Sequence, residues 1–229
     1  MQTRMPGSRS TLGRRLLPVL LAGLCGGLAL TILSLSPPGP SSGLADEVTA
    51  ALAQTGVTSP VTAVLLDFRG YDTLLEMAVL LLALGGVWSL VAHLPRIDGR
   101  PGIMLDRLTR LYLPLMLVVA GYLLWAGGTA PGGAFQSGAV LGAAGVVLTL
   151  GGWRLPPRLA GWPLRLVLTA GLVIFIAVGL LPIGFGSLWL DYPRAWAGGL
   201  ILLIETTASL SIGATLAALF LGGQPRGDP

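Results

Sequence analysis

Six apolar runs, each near the length that crosses a bilayer, constrain this chain more than any other feature. A helix needs about 20 apolar residues to span a hydrocarbon core of ~30 Å. The runs are residues 16–35, 72–92, 111–127, 134–152, 166–183 and 195–221. The second carries its acids only in its first turns, and the last is broken only by Glu205. Lipid offers the backbone no hydrogen-bond partners, so runs of this length are expected to be helical. Residues 60–66 are apolar but too short to span. They form a half-helix, a re-entrant segment or a fold against the second span. The predicted class is an all-α integral membrane protein of about six transmembrane helices, with a short broken helix before the second. Hydrophobic residues make up 53% of the 229 and charged residues 10%. Soluble domains run near one-quarter charged, and disordered chains need low hydrophobicity, so both classes are excluded.

The formal net charge of +4 would ordinarily raise nucleic acid as a partner. The placement of the charge argues otherwise. All 14 basic residues are Arg. Cytoplasmic loops of membrane proteins carry the basic excess. With the N-terminus inside, Arg4, Arg9, Arg14, Arg15, Arg96, Arg100, Arg107, Arg110, Arg154, Arg158, Arg165 and Arg226 all face the cytoplasm. Arg194 falls outside and Arg69 at membrane depth. The basicity is therefore a topology signal, with both termini cytoplasmic and the bilayer as partner. The first run is longer than the apolar region of a cleaved signal, so it is expected to remain as a span. Trp88, Trp125, Trp153, Trp162, Trp189 and Trp196 fall near span ends, as in an aromatic belt.

Between the first two spans lies an outer linker rich in Pro, Ser and Gly, within which residues 44–54 are expected to form a short surface helix. Asp46 and Glu47 suit the start of that helix. The expected divisions are a span and linker over 1–57, a segment over 58–93, a cytoplasmic loop over 94–106 and a four-helix domain over 107–225. Glycine numbers 34, much of it inside spans, which suits close helix packing.

Chemistry has few carriers. Single Cys25 and single His93 exclude a disulfide and a metal cluster within the chain, so no metal and no cofactor are expected. No nucleophile–base pair is present, and an enzyme is not expected. Ionisable groups at membrane depth are costly and mark function by default. Five stand out: Asp67, Arg69, Asp72, Glu76 and Glu205. Gly70 offers a turn after which Asp72 and Glu76, four apart, share a helix face. Arg69 can pair with Asp67 or Asp72. The cluster reads either as an interfacial clasp or as an ion path through Glu76. Glu205, near the hydroxyls of Thr206, Thr207 and Ser209, reads either as a cap for a neighbouring donor or as an ion relay. The stretch from Gly127 to Gly138 reads as a turn between spans three and four. It lacks the Gly-Lys-Ser/Thr of a phosphate loop.

Two stretches carry a resemblance. Pro131-Gly132-Gly133-Ala134-Phe135-Gln136-Ser137-Gly138 resembles the Pro-Gly-Gly-Gly-Phe-Gln-x-Gly motif of the MnhB-type subunit of the Mrp or Mnh multisubunit sodium/proton antiporters. Ala134 replaces the third glycine, and the Gly-His-Asn-x-Pro lead-in is Gly128-Thr129-Ala130-Pro131 here. The likeness extends over residues 107–225, with Glu205 in the matching place of the last span. Residues 64–76 resemble the Val-Asp-Phe-Arg-Gly-Phe-Asp-Thr-x-Gly-Glu motif at the C-terminal end of the large subunit of those antiporters, and of a small subunit of membrane-bound hydrogenases. Leu75 replaces its glycine.

The resemblance implies a small integral subunit of a complex that exchanges protons for sodium across a prokaryotic plasma membrane. Other subunits, Na+ and H+ are then its partners. Asp72, Glu76 and Glu205 are the implied ion-path residues, and Asp67 and Arg69 their electrostatic partners. Pro131, Gly132, Gly133, Phe135, Gln136 and Gly138 form the motif loop. The alternatives are a subunit of a complex-I-like redox-driven pump and a free-standing secondary transporter.

Overall fold

Every long apolar run forms a helix, because only intrasegment hydrogen bonds can satisfy a backbone in lipid. The computed structural model describes residues 11–35, 43–90, 102–153, 155–193 and 195–222. His93, Pro37, Pro38, Pro40 and the arginines at 4, 9, 96, 100, 154, 194 and 226 lie outside the described residues. Helix α1 spans Thr11–Leu35 and belongs to a first compact unit ending at Ala45. The second unit runs from Asp46 onward, the boundary falling within the first turn of the next helix.

The linker helix α2, Leu44–Ala51, leads into a 3-10 turn over Leu52–Gln54. The short apolar segment is a broken helix. It begins as α3, Pro60–Ala63, capped by Ser59 with Pro60 at its first position. It widens into a π-helical turn over Val64–Phe68 and breaks at Arg69. Helix α4, Gly70–Leu90, then starts and holds the segment against itself, with the Thr73 hydroxyl donating to the Leu65 carbonyl at 2.6 Å.

The remaining helices are α5, Ile103–Ala126; α6, Ala134–Leu150; α7, Pro157–Ala160; α8, Trp162–Leu180; and α9, Ala197–Leu221. A 3-10 turn over Leu181–Phe185 extends α8. Helix α9 is the hub, with α4, α6 and α8 packed around it. Glycines set the α6–α9 distance: a β-carbon on Gly142 would meet Leu216 Cβ at 2.9 Å, and one on Gly138 would meet Ile212 Cβ at 2.9 Å.

Among the described residues, four helices are long and apolar enough to cross a membrane: Gly70–Leu90, Ile103–Ala126, Trp162–Phe185 and Ala197–Leu221. The apolar stretches of α1, Pro18–Thr31, and of α6, Ala134–Leu150, are shorter. The six expected spans are thus four full-length helices and two shorter ones. Helix α6 begins where its apolar run begins and stops at Leu150, where Gly151 and Gly152 turn the chain, Gly152 with φ +83°.

One end of the bundle gathers the start of α4, the 127–133 loop and the start of α9. The Thr58 and Ser59 amides donate to the Gly128 carbonyl at 3.2 and 3.1 Å, and Gly56 abuts Ala197. The opposite end holds the start of α5 and the end of α6, where Gly151 touches Thr109.

Candidate functional site

The 127–133 loop turns back onto the last turn of α5, and its glycines make that reversal sterically feasible. The Gly133 amide donates to the Leu123 carbonyl at 2.9 Å. A β-carbon on Gly132 would strike that same carbonyl at 2.4 Å. Gly133 has φ +102° and ψ −164°, a region open essentially to glycine alone. The turn expected from the sequence is present, and it does more than connect two helices. It delivers the N-terminus of α6 to a buried carboxylate.

That carboxylate is Glu205. It is the ninth residue of α9, about 12 Å along the helix. Only 4% of it is exposed. A β-carbon on Gly133 would stand 2.6 Å from its Oε1, and one on Gly127 would stand 3.2 Å away. The backbone amide of Ala134, the first residue of α6, is its hydrogen-bond partner. The four leading amides of a helix have no partners within it, and they carry the positive end of its dipole. Glu205 therefore caps α6 from a neighbouring helix, inside a membrane span.

The nearby hydroxyls expected to serve Glu205 are used elsewhere. Thr206 and Thr207 donate to the carbonyls of Leu202 and Leu203, one turn back, at 2.7 and 2.9 Å. Such back-bonding is the default for threonine within a helix. Ser209 donates to Ser137 at 2.7 Å, a buried pair that ties α9 to α6 just below the carboxylate. The motif residues divide by role. Phe135 packs on the main core, Gly138 admits α9, and Gln136 is exposed. Pro131 is exposed at the turn.

Two of the loop's carbonyls accept bonds from the segment that leads into the broken helix and from its first turn. The Thr62 hydroxyl donates to the Gly127 carbonyl, and the Thr58 hydroxyl donates to that of Gly128 at 3.2 Å. Irregular backbone near membrane depth persists only where protein covers it. Ser59 and Thr62 do that covering, and both are buried. Sequence reasoning passed over these two residues. The short apolar segment was visible in the sequence, but not what the hydroxyls flanking its start would meet.

The second cluster is spread over the same end. Arg69 pairs with Asp72 at 2.5 Å, both partly exposed. Asp72 and Glu76 share a face of α4, on a groove whose lining does not include Glu205. Asp67 points another way, toward the loop after α8. Burial, with Asp191 nearby, pushes its carboxyl above the usual range. The Tyr192 hydroxyl donates to the Leu66 carbonyl at 3.3 Å, and burial and Asp67 together hold that phenol above its ordinary value. Tyr71 stacks on Trp189 with ring centroids 5.8 Å apart. Among the described residues no cluster of three metal-ligating side chains occurs.

Comparison with known proteins agrees with this architecture. The family model of a domain related to the MnhB subunit of Na+/H+ antiporter matches residues 104–222. Among solved structures, a chain of the membrane-bound sulfane sulfur reductase (MBS), an archaeal respiratory membrane complex, is similar at a TM-score of 0.68 and 24% identity. The match covers 91% of this chain and 97% of that one. A chain of the Mrp complex from Dietzia sp. DQ12-45-1b is similar at a TM-score of 0.64 and 22% identity. This chain is covered in full there but spans only 28% of that longer chain. At these identities the two likenesses concern the fold. No curated protein matches the sequence.

Proposed function

The chain belongs to the family of the domain related to the MnhB subunit of Na+/H+ antiporters, matched over more than half its length, and on that premise we propose that it is an integral membrane subunit of a multisubunit sodium/proton antiporter, lining or supporting the ion path. The observation that carries this reading is the Glu205 carboxylate held against the α6 N-terminus. It is a charge-bearing group inside a span, met by the Ala134 backbone amide at a break in the helical layer. Ionisable groups in such settings mark ion and proton pathways. Glu205 is the leading ion-path residue, with Asp72 and Glu76 on the neighbouring groove, and Arg69 and Asp67 shaping the local field. Thr58, Ser59 and Thr62, at the start of the segment that resembles the tail of the large antiporter subunit, cover the motif loop. The chain is not an enzyme in its own right.

We assign both termini to the cytoplasm from the arginine bias, and the membrane to a prokaryotic plasma membrane from the likeness to the antiporter family. The deciding experiment is isolation from native membrane in mild detergent and identification of the co-purifying subunits. Antiporter-type subunits are expected, and the chain alone in liposomes is expected to exchange nothing. Purification as a single species with transport activity would overturn the reading. A second reading places the chain in a redox-driven membrane complex, favoured by its coverage of nearly the whole MBS chain. Co-purifying iron–sulfur subunits would select it.

A further inference from the structure

Helices α4 and α6 both pack on α9 but make little contact with each other. The cleft between them is a groove of about 890 Å³. Asp72, Glu76 and Val79 line it from α4, Gln136 and Ala139 from α6, and Ile212 forms part of its floor. The α4 residues recur at the 3–4 spacing of one helical face. Two turns of a helix ~10 Å wide occupy about 850 Å³, so the groove is of the order of a helix segment in volume.

Its chemistry is unbalanced. Asp72 is paired with Arg69. Glu76, one turn deeper, is exposed on the groove and has no hydrogen-bond or ion-pair partner among the described residues. A carboxylate facing hydrocarbon is costly, and intramembrane charges pair with one another where they persist. We propose that the α4–α6 groove seats one transmembrane helix of a partner protein in the complex, which brings a Lys or Arg side chain to Glu76.

Charge complementarity selects this occupant over the others. An acyl chain offers no charge. Residues 16–35 of α1 carry none either, and the α1 hydroxyls of Thr31 and Ser34 donate to their own helix's carbonyls. A second copy of the chain is poorly equipped as well. Its Arg107 and Arg110 lie at the opposite end of the bundle, in the first turns of α5, and Arg69 is already engaged. The inference rests on the reading that the chain works as one component of a larger complex.

The test places a photo-crosslinking phenylalanine derivative at Val79 of the complete complex in native membranes. One other component is expected to be captured, through a peptide with a Lys or Arg inside an apolar helix. Glu76→Lys is expected to abolish that crosslink, while Glu76→Gln, which still accepts a hydrogen bond, retains part of it. The Val79 measurement keeps Glu76 intact, so it does not depend on folding of the charge-reversed variant. Capture of lipid alone, of α1 or of a second copy would overturn the proposal, as would a Glu76→Lys complex with an undiminished crosslink. If wild-type chain co-purifies with no other protein, the reading of the chain as part of a complex itself fails. If partners co-purify but Val79 captures none of them, only the groove assignment falls.

Discussion

Gly133 and Glu205, far apart in sequence, approach so closely that a β-carbon on the first would stand 2.6 Å from Oε1 of the second. The glycine's φ of +102° allows the turn, and its missing side chain leaves the space the carboxylate fills. Gly133→Ala should fail on both counts. The backbone strain alone is worth about 1–3 kcal/mol. We expect a lower thermal midpoint for the detergent-solubilised complex and a loss of sodium/proton exchange in everted vesicles. An alanine variant with wild-type midpoint and exchange would show that the close approach is unimportant.

Glu205 can be dissected by what each replacement keeps. Glu205→Gln keeps an acceptor for the Ala134 amide and should assemble normally while exchange falls. Glu205→Leu also removes the acceptor. A buried donor left unmatched costs about 1–3 kcal/mol, so this variant should lose assembly as well. The composition of the complex on native gels, read beside vesicle exchange, separates the two. Full exchange by the Gln variant would exclude an ion role for the carboxyl.

Thr62→Val tests the cover over the motif loop. The change is nearly isosteric but withdraws the donor to the buried Gly127 carbonyl. Destabilisation of about 1–3 kcal/mol is expected, and Thr62→Ser should restore most of it. Equal midpoints for all three proteins would mean that the loop does not depend on this bond.

Asp67 predicts a pH dependence. Its folded-state pKa is raised, by burial first and by Asp191 second. A raised carboxyl pKa means the fold prefers the protonated form. Below the unfolded-state pKa, Asp67 and a neutral replacement are equivalent in this respect. As pH rises from that value through the folded pKa, the wild type loses stability relative to Asp67→Asn. The midpoint gain of the Asn variant should therefore be larger at neutral pH than at acid pH. The opposite trend would show that Asp67 is held as a favourably paired anion.

Topology can be read in a Cys25→Ser background. Leu188→Cys, exposed in the loop after α8, should react with an impermeant maleimide on intact cells. Leu155→Cys, between α6 and α7, should react only after permeabilisation. The reverse pattern would invert the proposed orientation.

Much of the architecture was legible in the chain. Apolar run length sets where helices cross, and this is a property of each residue with its solvent. The short apolar run from residue 60 marked the broken helix, and Gly70 the turn that ends it. The Asp72–Glu76 spacing placed both acids on one face of α4.

Partnership was not legible in the same way. The nearest hydroxyls to Glu205 in sequence are Thr206 and Thr207, yet these bond their own helix. Its partner is an amide on α6, brought there by a loop that folds back along α5 and by glycines that let α6 press against α9. Hydropathy and spacing report single residues and single helices. Which donor meets a buried carboxylate, and which carboxylate is left facing a groove, depends on pairs of helices. The chain alone determined six apolar runs that fold as helices, four of them, among the described residues, long and apolar enough to cross a membrane. Tertiary packing decided that Glu205 is capped within the protein and that Glu76 has no partner among the described residues.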